Sequence, residues 1–360
     1  KLTGRELKIG GDISFVVLPA PHLTINDVSL SNLQGGADPD FLRFGQIDAE
    51  VALAPLLSGE IAVSSVSIAR PQIHLEVMGD GRSNWRGLLA DSLREKGLFG
   101  LDSISLEKVT LEDGTFTYFD HRSGRSWRID HVDGAVMAAS LLGPVRANLK
   151  LTANDIPLAL RLAVGNFAGS KAFPVTAELQ TLSQPAKLLF SGVSTGLSSG
   201  VRLDGTGSFE FGTTKTEDGQ KPKAPLRIES GVTVGDDTAT FRNLVVAMAG
   251  TTLKGNAQAQ WRKRPSVDVS LDGEALTLDP LADRIGEFLS GSKVPFGSFA
   301  TLPMPEGVDA RANVKVGGLL IHDVLVRDAS LSLALDDGTL SIERAAGDIG
   351  GGTQLELSGA

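Results

Sequence analysis

Cysteine is absent from the 360 residues, which removes a disulfide framework and a thiolate metal site. Aromatic side chains are scarce, at 5% with a single tyrosine, so a sugar cleft built on stacked rings has little to draw on. No stretch approaches the roughly 18 consecutive apolar residues of a membrane-crossing helix. No lysine–arginine run or basic stripe occurs, and the formal net charge is −9. That balance argues against nucleic acid as a partner and against electrostatic adsorption on anionic headgroups.

Catalytic and nucleotide-binding signatures are missing as well. There is no HExxH, no G-x-S-x-G, no P-loop, and no G-x-G-x-x-G opening a helix. Carboxylates are plentiful but scattered. The five histidines, His22, His74, His121, His131 and His322, read as surface residues near turns. Asp120–His121 and Asp130–His131 are sequence neighbours, which point to opposite faces of a strand and cannot act as base and orienter. No catalytic residue, cofactor or metal ligand is therefore expected.

Short alternating apolar segments make up most of the chain, as at Val232/Val234, Ala257/Ala259/Trp261, Val267/Val269/Leu271 and Leu331/Leu333/Leu335. Asp-Gly dipeptides begin at Asp80, Asp113, Asp133, Asp204, Asp218, Asp272 and Asp337. Asp-Gly tolerates the positive φ of tight hairpin turns, which predicts sequential antiparallel strands. Neither a calcium-loop pattern nor a glycine-rich nonapeptide repeat accompanies them.

Helices are few. In "LDPLADRIGEFLSG", Asp279 is placed as N-cap, Pro280 opens the helix and Gly291 ends it, predicting a helix near 280–290. A second is expected near 85–96 and a short turn at 54–59, while the polar stretch 213–223 reads as an exposed loop.

"IAVSSVSI", residues 61 to 68, alternates, meets two serines, and resumes on the opposite parity. The same pattern recurs at residues 23, 42, 104, 151, 239, 319 and 324, and the first three copies start 19 residues apart (23, 42, 61). A β-bulge at the polar pair would return all four apolar residues to one face and bend the strand. Repeated, such bends curl a sheet into a trough. The competing reading ends the strand at the polar pair and starts a new one, with both packing in a sandwich core.

The N-terminal third resembles the AsmA family of bacterial envelope proteins. The likeness rests on P-x-L-x-I-x-D-V-x-L-x-N from Pro21 to Asn32, L-x-P-L-L-S-G from Leu53 to Gly59, Arg70-Pro71 after a strand, and the G-x-x-N-W stretch that closes on Trp85. Residues near the C-terminus resemble the family's later repeats more loosely. The resemblance implies an all-β chain with a few short helices, an elongated, curled antiparallel sheet forming an apolar groove. Residues 1–125 would be its AsmA-like N-terminal part and 126–360 its continuing repeats.

It further implies the periplasmic body of an inner-membrane protein that carries phospholipid acyl chains and supports the outer membrane. An N-terminal anchor preceding Lys1 and further strands after Ala360 are expected, with outer-membrane components as possible partners. The expected groove lining is Leu23, Ile25, Val28, Leu30, Ile61, Val63, Val66, Ile68, Ile104, Leu106, Val109 and Leu111. A scaffold for outer-membrane protein assembly, its apolar interior purely structural, is the alternative. Trp85 is expected to anchor the segment that follows it rather than to touch a ligand.

Overall fold

The computed structural model describes residues 5–18, 21–51, 63–85, 106–122, 124–138, 143–166, 171–195, 202–212, 225–248, 250–261, 264–280, 307–351 and 353–359. The chain divides into two compact units, Lys1–Ser183 with Gly196–Ser199, and Gln184–Thr195 with Gly200–Ala360.

The first unit carries β1 (Leu7–Ile9), β2 (Ile13–Val16), β3 (His22–Ser31), β4 (Asp40–Val51), β5 (Val63–Ala69), β6 (Gln72–Val77), β7 (Leu106–Asp120), β8 (Arg125–Ala138), β9 (Val145–Ala153), β10 (Ile156–Val164) and β11 (Ala172–Thr181). β1 and β2 both pair with β3, β3 pairs with β4, and β4 pairs with β5 and β6. β5 and β6 lie against β7, after which each strand pairs with the next through β11.

The second unit carries β12 (Ala186–Thr195), β13 (Arg202–Phe211), β14 (Leu226–Val234), β15 (Thr238–Met248), β16 (Thr251–Gln260), β17 (Ser266–Thr277), β18 (Asp309–Ile321), β19 (Val324–Asp336), β20 (Thr339–Asp348) and β21 (Gln354–Gly359). Each pairs with its successor.

The all-β reading therefore holds, with one difference. The sheet is mixed: β5 and β6 run parallel to β7, and β17 runs parallel to β18. Parallel neighbours need a crossover, and both crossovers run through residues outside the described set. Within each unit the described strands belong to one hydrogen-bonded sheet, each contacting its hydrogen-bonded neighbours.

The expected helix near 280 begins as a helical turn at Leu278–Pro280, and its remainder lies outside the described residues. So do the expected helix near 85–96 beyond Trp85, the turn at 54–59 and the loop at 213–223. Asp279, placed as the N-cap, instead accepts the His322 backbone N–H at 3.0 Å.

The Asp-Gly expectation needs correction. Asp337-Gly338 joins β19 to β20 and Asp80-Gly81 makes a tight turn, but four other pairs lie inside strands β7, β8, β13 and β17. Asp218 is outside the described residues. Inside a strand, the glycine serves close approach rather than reversal. Gly134 has φ +143°, and a Cβ there would collide with the Asn148 carbonyl of the neighbouring strand.

The broken alternation resolves as bulges in four of the eight copies. Val51 pairs with Val63 and Glu50 with Ser65, so Ser64 is the extra residue. A matching bulge falls between Leu106 and Val109 in β7, and Val109 pairs with Val66. In the second unit, extra residues sit at Asn243 and Asp328, with φ of +51° and +46°. Copies 151 and 319 instead follow the competing reading. Their polar pairs, Asn154-Asp155 and His322-Asp323, are hairpin turns with positive φ at both residues, as a type I′ turn requires.

Candidate functional site: one apolar face

A crease crosses the first unit at one level. Asp27 in β3, Arg70 between β5 and β6, Asp113 in β7 and His131 in β8 have φ of +49°, +50°, +52° and +50°. The pairs Ile25↔Ile47 and Val28↔Phe44 bracket Asp27 and Gly45. Gln46↔Ala69 and Arg43↔Gln72 bracket Gly45 and Arg70, and Ala69↔Glu112 and Gln72↔Thr115 bracket Arg70 and Asp113. Side chains knit the crease together. The Arg70 guanidinium lies where a Cβ on Gly45 would be, and His131 Nδ1 is 3.1 Å from Asp113 Oδ1.

The crease ends at β9, an uninterrupted strand whose register reveals what the kinks accomplish. Leu149 and Ala153 share a face of β9, because side chains alternate with a period of two. They pair with Gly134 and Ile129, which pair with Leu111 and Phe116, and these with Ile68 and Ile73. Those in turn pair with Ile47 and Leu42, and these with Ile25 and Leu30. The paired residues named on both sides of the crease are thus returned to one face, while Phe41 and Phe119 stand on the other with the side chains of Arg5 and His121.

The result is a set of continuous cross-strand rows. One runs Ile13, Ile25, Ile47, Ile68, Leu111, Gly134, Leu149, Leu160, Leu179. Its neighbour runs Phe15, Leu23, Ala49, Val66, Val109, Val136, Ala147, Leu162, Ala177. The second unit has a row of the same kind, Val232, Phe241, Ala257, Val269, Ala312, Leu333, Ile342.

The opposite face is polar and self-paired. Thr24 donates to Asp48 at 2.5 Å, Ser65 to Glu50 at 2.9 Å, and Arg161 meets Glu178 at 3.0 Å. A concavity of about 600 Å³ opens there between Asp113, Arg128, Asp130, His131, Asn154 and Asp155. Its charges are engaged: Arg128 donates to Asp130 at 2.7 Å, and this bond holds the Asp130 carboxyl below the usual range.

Of the twelve expected lining residues, Leu23, Ile25, Val28, Leu30, Val63, Val66, Ile68, Val109 and Leu111 lie on this one apolar face. Ile61 and Ile104 are outside the described residues, and at Leu106 only the backbone is described. Only Val28, at 7% exposure, is fully buried among those nine; the others are half-buried. At the β1–β2 edge the same face is open, with Leu7 63%, Ile13 59% and Phe15 51% exposed.

Sequence reasoning missed a buried polar hub on the other side of β6. Glu76 is 2% exposed and Asn84 is 0% exposed. The Glu76 carboxylate accepts from Asn32 Nδ2 at 2.7 Å, from the Ala37 and Asp38 backbone N–H groups at 2.8 and 3.2 Å, and lies 2.9 Å from His121 Nε2. Asn84 donates to the Asn32 side chain at 3.0 Å and to the His74 carbonyl at 2.8 Å, and its own side-chain oxygen accepts from the Glu76 N–H at 2.9 Å. Arg5 donates to the Asn84 carbonyl and stacks over Phe41 at 4.7 Å. Burial pushes the Glu76 carboxyl up, but His121, Ala37, Asp38 and Asn32 together outweigh it, leaving the group below its ordinary pKa.

The hub clamps the loop between β3 and β4 onto β6. It gives Asn84 of the G-x-x-N-W motif a structural role, and it places His74 and His121 in half-buried, bonded positions rather than at free turns. The only sequence signal was the motif itself.

The model of the AsmA family matches residues 1–266 of the chain. No curated protein matches it.

Proposed function

The chain belongs to the AsmA family, and from that premise we propose that it is the body of a phospholipid carrier, shielding acyl chains along its apolar face. The observation that supports this reading is the incomplete burial of the first unit's apolar face, on which only Val28 of the nine described lining residues is fully buried. A sheet with one apolar face ordinarily buries it fully against a second layer, whereas along the first unit's face most described side chains are half-buried and Leu7, Ile13 and Phe15 are more than half exposed. An acyl chain completes that burial. Exposing lipid tails to water costs about 0.8 kcal/mol per CH₂, so two ordinary chains present a barrier of roughly 20 kcal/mol. A continuous aliphatic row offsets most of that without any chemistry, and headgroups stay in water.

Sliding along the rows requires no tight pocket. Ile, Val and Leu offer non-directional contacts that are nearly equivalent from one strand to the next, about 4.8 Å apart, so a chain meets no deep well. We place the protein at the inner membrane on its periplasmic side, with phospholipid as cargo and outer-membrane lipid balance as the process served.

In-cell photo-crosslinking tests the proposal, with the reactive residue at Val66 and, on the polar face, at Ser67. Phospholipid captured at Val66 and not at Ser67 is the expected result. Capture at neither, in a folded protein, would overturn it and favour a scaffold whose apolar face is purely structural.

A further inference from the structure

The chain has three tryptophans and one tyrosine. Two of those tryptophans and the tyrosine meet at one place, where β6, β7 and β8 end. The Trp85 and Tyr118 rings are 6.2 Å apart and tilted by 53°, and Tyr118 and Trp127 are 5.9 Å apart and tilted by 49°. Trp261, by contrast, is accounted for by a turn, its indole N–H donating to the Asp236 carbonyl at 2.8 Å.

The register places this cluster on the apolar face. Tyr118 pairs with Leu75 and with Trp127, and both strands alternate without interruption from there to their ends. Following β8 outward on that face, the residues are Ile129, Trp127, Arg125; following β7, they are Phe116, Tyr118, Asp120. The order is apolar, then aromatic with a polar edge, then charged. Trp127 is 71% exposed, a large indole held in water at the rim of a face otherwise built of Ile, Leu, Val, Ala and Phe.

The charges at the rim are mostly matched. Arg122 meets Asp120 at 3.2 Å, Arg82 meets Asp80 at 2.6 Å, and Arg125 is in register with Asp120. Among the described residues this rim carries three arginines and two aspartates, in a chain whose net charge is −9. Burial, then the charge of Asp120, keeps the Tyr118 phenol above its ordinary pKa, so it remains a neutral hydrogen-bond donor.

A glycerophospholipid presents the complementary order: methylenes, then ester and glycerol oxygens, then a phosphodiester. Tryptophan and tyrosine favour the zone where hydrocarbon gives way to water, and arginine matches phosphate geometry. We propose that the Trp85–Tyr118–Trp127 cluster with Arg125 is a phospholipid headgroup subsite at this end of the first unit's apolar face. Tails lie along the rows beyond Ile129 and Phe116, the rings cover the glycerol region, and Arg125 meets the phosphodiester. The subsite rests on the lipid-carrier reading and adds a defined station to an otherwise uniform track.

The test titrates dihexanoylphosphatidylglycerol, below its micelle concentration, into the wild type, Trp127→Phe and Arg125→Gln. Binding is followed by native mass spectrometry and by tryptophan emission. The expected result is binding with a blue shift in the wild type, loss of most of that shift in Trp127→Phe, and about tenfold weaker binding in Arg125→Gln. Unchanged thermal midpoints in both variants accompany that result. Dihexanoylglycerol, which lacks the phosphate, binds the wild type about as weakly as the phospholipid binds Arg125→Gln, and glycerol 3-phosphate, which lacks tails, gives no shift. Lipid bound with Trp127 emission unmoved and both variants equal to wild type would overturn the subsite alone. A shift with glycerol 3-phosphate would overturn it in favour of a plain anion site. No lipid bound to any form would overturn the carrier reading with it.

Discussion

Removing the Glu76 carboxylate tests whether the buried hub holds the first unit together. In Glu76→Ala, four donors lose their acceptor: Asn32, the Ala37 and Asp38 backbone N–H groups, and His121. The two backbone groups belong to the β3–β4 loop and can turn to water. The Asn32 amide and the His121 ring face the interior, and each unsatisfied donor there costs about 1–3 kcal/mol. The expected loss is therefore about 3 kcal/mol, roughly 6–12 °C in Tm for a unit of this size. Glu76→Gln keeps the shape but turns one acceptor into a donor, and loses about half as much. Thermal unfolding at pH 7 reads the midpoint, and amide exchange at Ala37 and Asp38 reads the loop, which should exchange faster in both variants.

The pH dependence has a fixed sign. The folded pKa of Glu76 lies below its unfolded value, so the carboxylate's contribution is complete above the ordinary carboxylate range and is lost as pH falls through the folded value. The gap between wild type and Glu76→Gln should hold steady from neutral pH down to about pH 5 and close below it. A Glu76→Ala midpoint within about 2 °C of wild type at pH 7 would refute the reasoning, as would a gap that widens on acidification.

Two further outcomes follow from the backbone. Deleting Ser64 removes the extra residue of the β5 bulge and leaves Val63 opposite Val51 in an unbroken alternation, so urea unfolding should show a loss of no more than about 1 kcal/mol; a loss above about 3 kcal/mol, as expected if Val63 were thrown to the polar face, would sink the bulge assignment. Gly134→Ala forces a Cβ against the Asn148 carbonyl at φ +143° and should cost about 3 kcal/mol, whereas Gly124→Ala, with φ +70° and open space around it, should cost about 1 kcal/mol. Equal losses at the two glycines would show that crowding between β8 and β9 is not what fixes Gly134.

The alternation and its breaks were legible because they are local. Ser64, Asn243 and Asp328 could be picked out as strand irregularities from the parity of the residues around them. The same polar pair also serves as a type I′ turn at Asn154-Asp155 and His322-Asp323, since both uses need residues that accept positive φ. Composition alone cannot separate them. The Asp-Gly pairs failed for a related reason: glycine at Gly134 answers the approach of a neighbouring strand, and the partner responsible is an asparagine 14 residues away. The parallel pairings of β7 and β18 were hidden by their crossovers. Glu76 was invisible because its partners stand 38 to 45 residues from it along the chain, and nothing in "QIHLEV" marks the glutamate as the buried member.

The crease has a consequence for how such a chain tolerates change. From β3 to β8 the breaks stand level with one another, so this part of the sheet works as a parity check. A one-residue insertion in β4 would misplace its apolar side chains against β3 on one flank and against β5 and β6 on the other, and both mismatches would be penalised at once. A hairpin carrying its own matched kinks violates no check, wherever it is inserted. Within the crease lengths change in strand pairs and single slips are rejected, and an unkinked strand is accepted where, as at β8 and β9, its neighbour absorbs the extra residue as a bulge.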